Sequence, residues 1–588
     1  MPMRSIRVVT VMACVAALGT ATRLAGQGPD TAIVIHPEST GLHFVPPQLP
    51  RAIVDEAVQL YNLPTTTRLA GRVVLPVGNT WHGDVVVRNG PALIGGRVEG
   101  SLVLLNGDLT LQASARITGN LLVIGGAAVG PRDVVDGTVR VFADPLPYKV
   151  ERDTLVYTPD LWRRLRLSAR YTFGRGESRS TLLVATAGTY NRIEGLPIVA
   201  GPSVDLILKP DLALHAGAVG IFRTARSLTG ECCDLGYTAR GEIRAGSRQQ
   251  AGLSVRAFDL VTPVEDWGLH NNEIGWEAWL VRRDYRDYYR DRGAAVRLAW
   301  QAEAPLTLGL ELRREYQGTL HARDPWSLAR TGEVWRPNPP IDNGYYTTWS
   351  PSVVLDTRND RVNPTSGWYL HASLDISHSD DATSAPGVPV FVRDSTVLTG
   401  SYAFSRVFFD FRRYTRISGP NRLNVRFVVG GWVGGDPLPL QKRLSFGGPE
   451  PMPGYEFRQS ACNQQFTAPD YAGTKLAACD RVLALQVEYR GHVSLRAGYN
   501  PETGETSGLG LVTRFLRGPD FVVLGDAGQA WLVGKGPGRL SSGQLPSLSS
   551  WLADLGLGVD WGGFGIYATK AVNATQPLRL TARIEHRF

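Results

Sequence analysis

The sequence predicts an all-β chain in which a C-terminal antiparallel transmembrane β-barrel of about 16 strands follows a small β-solenoid. Three observations carry this. From about residue 163 onward, segment after segment alternates apolar and polar side chains, the two-residue period of a strand with unlike faces. Before that, a Gly-initiated aliphatic pattern recurs about every 17 to 19 residues. Past residue 26 no apolar run approaches the roughly 18 residues that read as a membrane helix. If the chain crosses a membrane, it does so with strands.

Composition narrows the class. The 588 residues carry a net charge of +8, from 62 basic and 54 acidic side chains. Only six of the basic residues are Lys, so Arg carries the positive charge. Base composition explains such a bias; so does pairing of Arg with carboxylates in a polar lumen or with acidic headgroups at a rim. No Lys/Arg run tracks a nucleic-acid backbone, so that partner is set aside.

Residues 1–26 read as a signal peptide: Arg4 and Arg7, then the apolar "VVTVMACVAALGTAT", then small residues. A lipoprotein reading through Cys14 would leave too short a signal. Residues 27–70 hold one short amphipathic helix near 50–62, from "PRAIVDEAVQLYN". Residues 71–145 carry the repeats "GDVVVRNG", "GSLVLLNG", "GNLLVIGG" and "GTVRVFAD", punctuated by Gly where the chain turns. This segment resembles the bactofilin type of β-solenoid. Residues 146–162 read as a Pro-bearing linker.

The barrel occupies residues 163–588. "GAAVRLAW" puts Ala294, Val296, Leu298 and Trp300 on one face. "NRLNVRFVV" puts Leu423, Val425, Phe427 and Val429 on one face, with Arg422, Asn424 and Arg426 opposite. Long connections alternate with tight turns, and Tyr345, Tyr346, Trp349, Trp368 and Tyr369 sit near strand ends as an interfacial girdle would. The closing stretch "PLRLTARIEHRF" alternates in the same way. Ile584 and Phe588 on its apolar face read as a C-terminal assembly signal, and the strand is expected to close the barrel against the first.

Four cysteines follow the signal: Cys232, Cys233, Cys462 and Cys479, which allow three pairings. The adjacent pair would bridge only with strain. A bridge between Cys462 and Cys479 would close one loop, worth about 3 kcal/mol.

Two motifs then carry a family resemblance. "LDTRNDRVNPTSGWYLHASLD" holds Asp356, Arg358, Asp360, Pro364 and Gly367 in a D-x-R-x-x-x-x-x-P-x-x-G pattern. It resembles the bacterial surface antigen family, the barrel domain of the BamA/TamA-type outer-membrane assembly superfamily. Asp and Arg before the turn are expected to pair across strands, with Pro and Gly shaping the connection. "RLSFGGPEPMPGYEFRQ" resembles the long inward-folding loop of that superfamily, with Gly454 and Tyr455 matching and Pro453 where an Arg belongs. In the family that Arg pairs with an acidic residue on a following strand. Here "VVLGDAGQAW" supplies Asp526 and Gly528, and Arg458 is expected to stand in for the missing Arg. Five strands are read after the loop, starting near residues 480, 520, 551, 563 and 577, as the resemblance implies.

The resemblance implies an outer-membrane location of Gram-negative type, with the N-terminal domain in the periplasm, and a role in assembly, insertion or translocation. It implies as partners the assembly machinery, outer-membrane lipid and lipopolysaccharide, and a periplasmic protein for the solenoid. Assembly factors of this type carry POTRA modules, and residues 28–150 show none. The alternative is therefore an anchor or receptor barrel that positions the solenoid and transports nothing. A short or poorly paired last strand favours the first reading; a fully paired seam favours the second. No GxSxG, HExxH or phosphate-cradling loop appears, and His36, His43 and His82 lack metal-ligand spacing. The expectation is a non-enzyme without metal or cofactor.

Overall fold

The computed structural model describes residues 51–588 apart from short stretches, the longest at 158–167, 226–234, 386–398, 463–474 and 493–518. The segment read as a signal peptide, Cys232, Cys233, Asp360 and Phe588 lie outside the described residues. Two compact units are present.

The first unit is a coil of short parallel strands with three faces. One face stacks Thr67–Ala70, Val85–Arg88, Leu102–Leu105, Leu121–Ile124 and Val139–Phe142; a second stacks Val73–Leu75, Ala92–Ile94, Leu109–Leu111 and Ala128–Val129. The third stacks Thr80–His82, Arg97–Glu99 and Arg116–Ile117. Val85 pairs with Leu102 and Leu102 with Leu121, so successive turns take 17 and 19 residues. The repeat exists because equivalent side chains must stack: Val85, Ile94, Leu102, Leu104, Leu109, Leu121 and Val123 fill one apolar core. It is Gly-punctuated because the corners stack backbone on backbone. A Cβ on Gly107 would lie 2.1 Å from Gly90 O, and one on Gly126 2.0 Å from Gly107 O. Helix α1 (Arg51–Asn62) precedes the coil and buries Val54, Ala57 and Tyr61, the spacing its sequence predicts.

The segment read as a linker holds a two-stranded hairpin, Tyr148–Glu151 with Thr154–Tyr157. Beyond it one sheet of eighteen strands runs in sequence order from Ser168–Phe173 to Arg579–Arg583. All its pairings are antiparallel except that of Arg539–Leu540, a two-residue piece riding parallel on Asp520–Val533. After the motif-bearing loop, five antiparallel strands begin at Arg481, Asp520, Leu552, Phe564 and Arg579, as expected.

The burial pattern of this sheet is inverted relative to a soluble protein. Val296, Leu298 and Trp300 face outward at 43%, 55% and 41% exposure, while Arg422, Asn424 and Arg426 face inward and are buried. Two-residue alternation with apolar side chains out and ionic side chains in is the pattern of a membrane barrel. No described helix is long and apolar enough to cross a membrane. Helix α2 (Asn271–Val281), between strands Gln250–Pro263 and Tyr288–Gln301, is a departure from the strand-only expectation. Its apolar residues Ile274, Trp276, Ala278, Trp279 and Leu280 are spread around the helix, so no one-sided stripe announces it.

Candidate functional site

The described part of the long connection from Asp436 to Asp480 lies against the inner wall. Leu444, Phe446, Met452, Tyr455 and Cys479 of this loop share an apolar cluster with the inward Val428, Val482, Ala484, Ala530 and Ala571. Small wall residues make the room. A Cβ on Gly528 would lie 2.6 Å from Phe446 Cζ and 2.3 Å from Leu483 O, so the glycine of "GDAGQAW" is where the loop's Phe446 seats. Cys462 and Cys479 form a disulfide across the loop, Cα–Cα 5.5 Å.

At the loop tip, Gly454 and Tyr455 dock on the strand Leu552–Trp561. Gly454 N–H donates to Asp554 Oδ2 at 2.6 Å. Tyr455 Oη–H donates to Ala553 O at 3.1 Å and reaches Asn573 Oδ1. A Cβ on Gly454 would lie 2.7 Å from Asp554 Cβ and 2.9 Å from Ala571 N. Only a residue without a side chain fits this approach.

Arg458 takes a different partner from the one expected. Its side chain is buried, and it donates from Nη1 to Asp287 Oδ2 at 2.5 Å and from Nη2 to Glu265 Oε2 at 3.3 Å. Glu265 also accepts from Ser445 N and Oγ at 2.6 and 2.7 Å. Asp287 is shared by Arg192, Arg336 and Arg458. Burial alone would raise the Asp287 carboxyl, but the three guanidiniums hold it well below the usual carboxylate range. Arg458 thus fastens the loop to the connection that carries helix α2, and the expected Arg458–Asp526 pair does not form.

The partner of Asp526 is Arg587. Its Nη2 donates to Asp526 Oδ2 at 2.7 Å, and both side chains are buried. Asp526 lies beside Asp554 in the sheet register. The last strand, Arg579–Arg583, therefore keeps the alternation of its sequence while its charged row turns to the lumen. Leu578 and Leu580 stay exposed, and Arg583 is buried between two carboxylates. Arg583 donates from Nε and Nη2 to Glu273 of helix α2, both at 3.0 Å, and from Nη1 to Glu450 Oε2 at 2.5 Å. Glu450 sits in the loop and accepts from Gln486 Nε2 at 2.7 Å. Burial opposes its ionisation, but Arg583, Arg587 and Gln486 bring its carboxyl down to about 2. His270 Nε2 lies 3.3 Å from Arg587 O. Ile584 is half-buried, past the strand's last paired residue.

The Asp356–Arg358 motif also departs from its expectation. Arg358 donates from Nε and Nη2 to both carboxylate oxygens of Asp356 at 2.9 Å, a local chelate two residues apart instead of a cross-strand pair. The Arg358 guanidinium lies over the Tyr369 ring at 4.5 Å, and Tyr369 is the register partner of Asp356. Pro364 O accepts from Arg422 Nη1 at 3.3 Å. Gly367 has φ +113°, and a Cβ there would meet Thr357 O at 2.3 Å. These residues shape a turn on the side of the sheet opposite the loop. Sequence reading missed Glu273, Glu450, Arg583 and Arg587 as one cluster; the charged row of the last strand was the available signal.

The strands at the two ends of the sheet are short, the first paired over six residues. The last strand pairs with Phe564–Ala571 over five residues, Gly565↔Arg583 to Thr569↔Arg579. Strands Gln250–Pro263 and Tyr288–Gln301 pair over fourteen. Among the described residues, neither the first nor the last strand has a second neighbour, so the expected closure of one on the other is not seen there.

Two solved structures, a curated protein and a family model are each similar to part of this chain. Among solved structures, the chain is similar to BamA from Haemophilus ducreyi lacking POTRA domains 1–3, with 12% identity, 74% of this chain and 79% of that chain covered, and a TM-score of 0.40. It is also similar to CdiB from Acinetobacter baumannii, with 10% identity, 74% and 69% covered, and a TM-score of 0.28. A curated relative, the anti-sigma-W factor RsiW of Halalkalibacterium halodurans, is 38% identical over 52 residues, 9% of this chain and 24% of that protein. The chain thus spans about a quarter of the length of that relative. The family model described as the Omp85 superfamily domain matches residues 233–519, which hold the turn motif, the inward loop and most of the strands around them. Over these residues, just under half of the chain, the sequence is similar to the Omp85 superfamily domain.

Proposed function

We propose that the chain is an outer-membrane assembly or translocation barrel whose sheet ends form a seam that receives or passes a substrate strand. The observation that carries this is the short last strand, paired over five residues on one side and open on the other among the described residues. An open strand edge is a row of unused N–H and C=O groups, the chemistry by which an extended segment adds to a sheet. The inward loop braces the wall next to that edge through Gly454, Tyr455 and Glu450. The reading places the solenoid in the periplasm, where the end strand Val139–Phe142 offers a partner protein its own open edge. It needs no catalytic residue and no cofactor.

The ion pairs of Arg583 and Arg587 favour a second reading, an anchor barrel that holds the solenoid in place. Tethers of this kind keep the last strand fixed. Deleting the gene and quantifying other outer-membrane barrels and surface glycolipid against wild type separates the two. A fall in many barrels, or in one defined class, supports assembly or translocation. Unchanged levels in a viable strain sink it and leave the anchor.

A further inference from the structure

On the outward face of the sheet, toward the side of the long connections, two arginines stand where apolar residues end. Arg292 continues the outward row of Ala294, Val296 and Leu298; Arg314 continues that of Leu308, Leu310 and Leu312. Both are exposed, and neither guanidinium meets a carboxylate among the described residues. They are close: Arg292 lies opposite Tyr316 and Ala294 opposite Arg314, a diagonal relation that puts Cβ atoms about 7–8 Å apart. The nearest acid in the register, Asp259 opposite Arg292, is already bound bidentately by Arg290 and lies near Arg223.

Exposed aromatics mark the level of this pair. Tyr345 lies opposite Tyr316 and Trp349 opposite Leu312, both outward, and Tyr316 and Tyr345 stack with ring centroids 5.1 Å apart. Such rings line the interface of a membrane barrel, and the long connections belong to its outer side. The opposite rim is different. There the outward Arg413 lies 4.2 Å over the Trp368 ring and donates to Gly367 O, one cation already engaged.

We propose that Arg292 and Arg314, with Tyr316, Tyr345 and Trp349, bind the phosphates of a bis-phosphorylated glycolipid of the outer leaflet. Guanidinium forks suit phosphate oxygens bidentately, two unpaired cations complement two phosphates, and the aliphatic rows beneath accept acyl chains. This rests on the outer-membrane reading, which membrane fractionation checks separately, so the two failures are distinguishable.

The test is native mass spectrometry of the detergent-solubilised full chain with purified lipid A, and with phosphatidylglycerol as the single-phosphate lipid. Folding of each variant is checked by heat-modifiable gel mobility. In the R292Q/R314Q double variant, lipid A affinity falls about tenfold or more, since each tenfold corresponds to 1.4 kcal/mol, within the range of one charge-assisted bond. R413Q, on the other rim, leaves it unchanged. Equal lipid A binding by the folded double variant overturns the proposal. So does phosphatidylglycerol binding as tightly, with the same arginine dependence.

Discussion

Arg587 donates to Asp526 Oδ2 at 2.7 Å, and both side chains are buried in the lumen, 61 residues apart in sequence. The resemblance of the inward loop implies an arginine where Pro453 stands. The acidic residue of the wall is nonetheless paired, by an arginine that follows the last strand. The wall's carboxylate thus holds the sheet's end where the expectation had it hold the loop.

Removing Arg587 isolates this relationship. Arg587→Met leaves Asp526 buried without a cation beside Asp554, and loss of one partner of a buried pair costs about 3–5 kcal/mol. Arg587→Met with Asp526→Asn removes both charges and is expected to recover much of that. Denaturant unfolding of the two variants in detergent provides the comparison; a double variant no better than the single one argues against the pair.

The loop tip depends on contact geometry at one glycine. Gly454→Ala forces a methyl group to within 2.7 Å of Asp554 Cβ and 2.9 Å of Ala571 N, a backbone neighbour that cannot swing aside. Overpacking of this sort costs about 1–3 kcal/mol. The variant's loop should become cleavable by added protease near residues 450–460, while the sheet persists. Tyr455→Phe removes the hydroxyl shared by Ala553 O and Asn573 and should cost about 1 kcal/mol. Protease resistance equal to wild type in Gly454→Ala would show that the tip is not held by this approach.

Much of the architecture is legible because it follows from periodicity. The row Leu578, Leu580 against Arg579, Arg583 separates outward from inward without any knowledge of partners. The Gly pattern of the coil is legible because stacked corners exclude Cβ atoms at every turn. The partners are not. Arg583 meets Glu273, 310 residues earlier, only because helix α2 and the loop converge in the lumen. Arg458 meets Asp287 in place of Asp526 for the same reason: the path of a 45-residue connection decides which charges meet, and no local spacing records that path. Helix α2 escaped because its apolar residues surround it.

The coil offers a separate test. Gly107→Val places a branched side chain where a Cβ already lies 2.1 Å from Gly90 O, in the stacked corner of the solenoid. Hydrogen exchange over residues 67–142 should accelerate on both flanking turns, because each turn is stabilised by its neighbours. Exchange over the strands 421–435 and 520–533 should not change. Unaltered protection of the coil would mean that its corners relax more than close backbone stacking allows.

Helix α2 carries a carboxyl shifted toward neutrality. Burial, then the charge of Glu273 one turn earlier, pushes the Glu277 carboxyl up to about 7. The folded chain therefore holds a proton that the unfolded chain releases near pH 4.3. A raised carboxyl stabilises the folded state fully below the unfolded value, and that contribution is lost as pH rises through about 7. Glu277→Gln keeps a neutral side chain at every pH. Its unfolding midpoint should exceed that of wild type slightly at pH 5 and by more at pH 8, with a flatter profile between. Glu450 works in the opposite sense: its carboxyl, lowered to about 2, stabilises above the ordinary range and is lost only as pH falls toward 2, outside this window. Parallel pH profiles for wild type and Glu277→Gln between 5 and 8 would remove Glu277 as the titrating group.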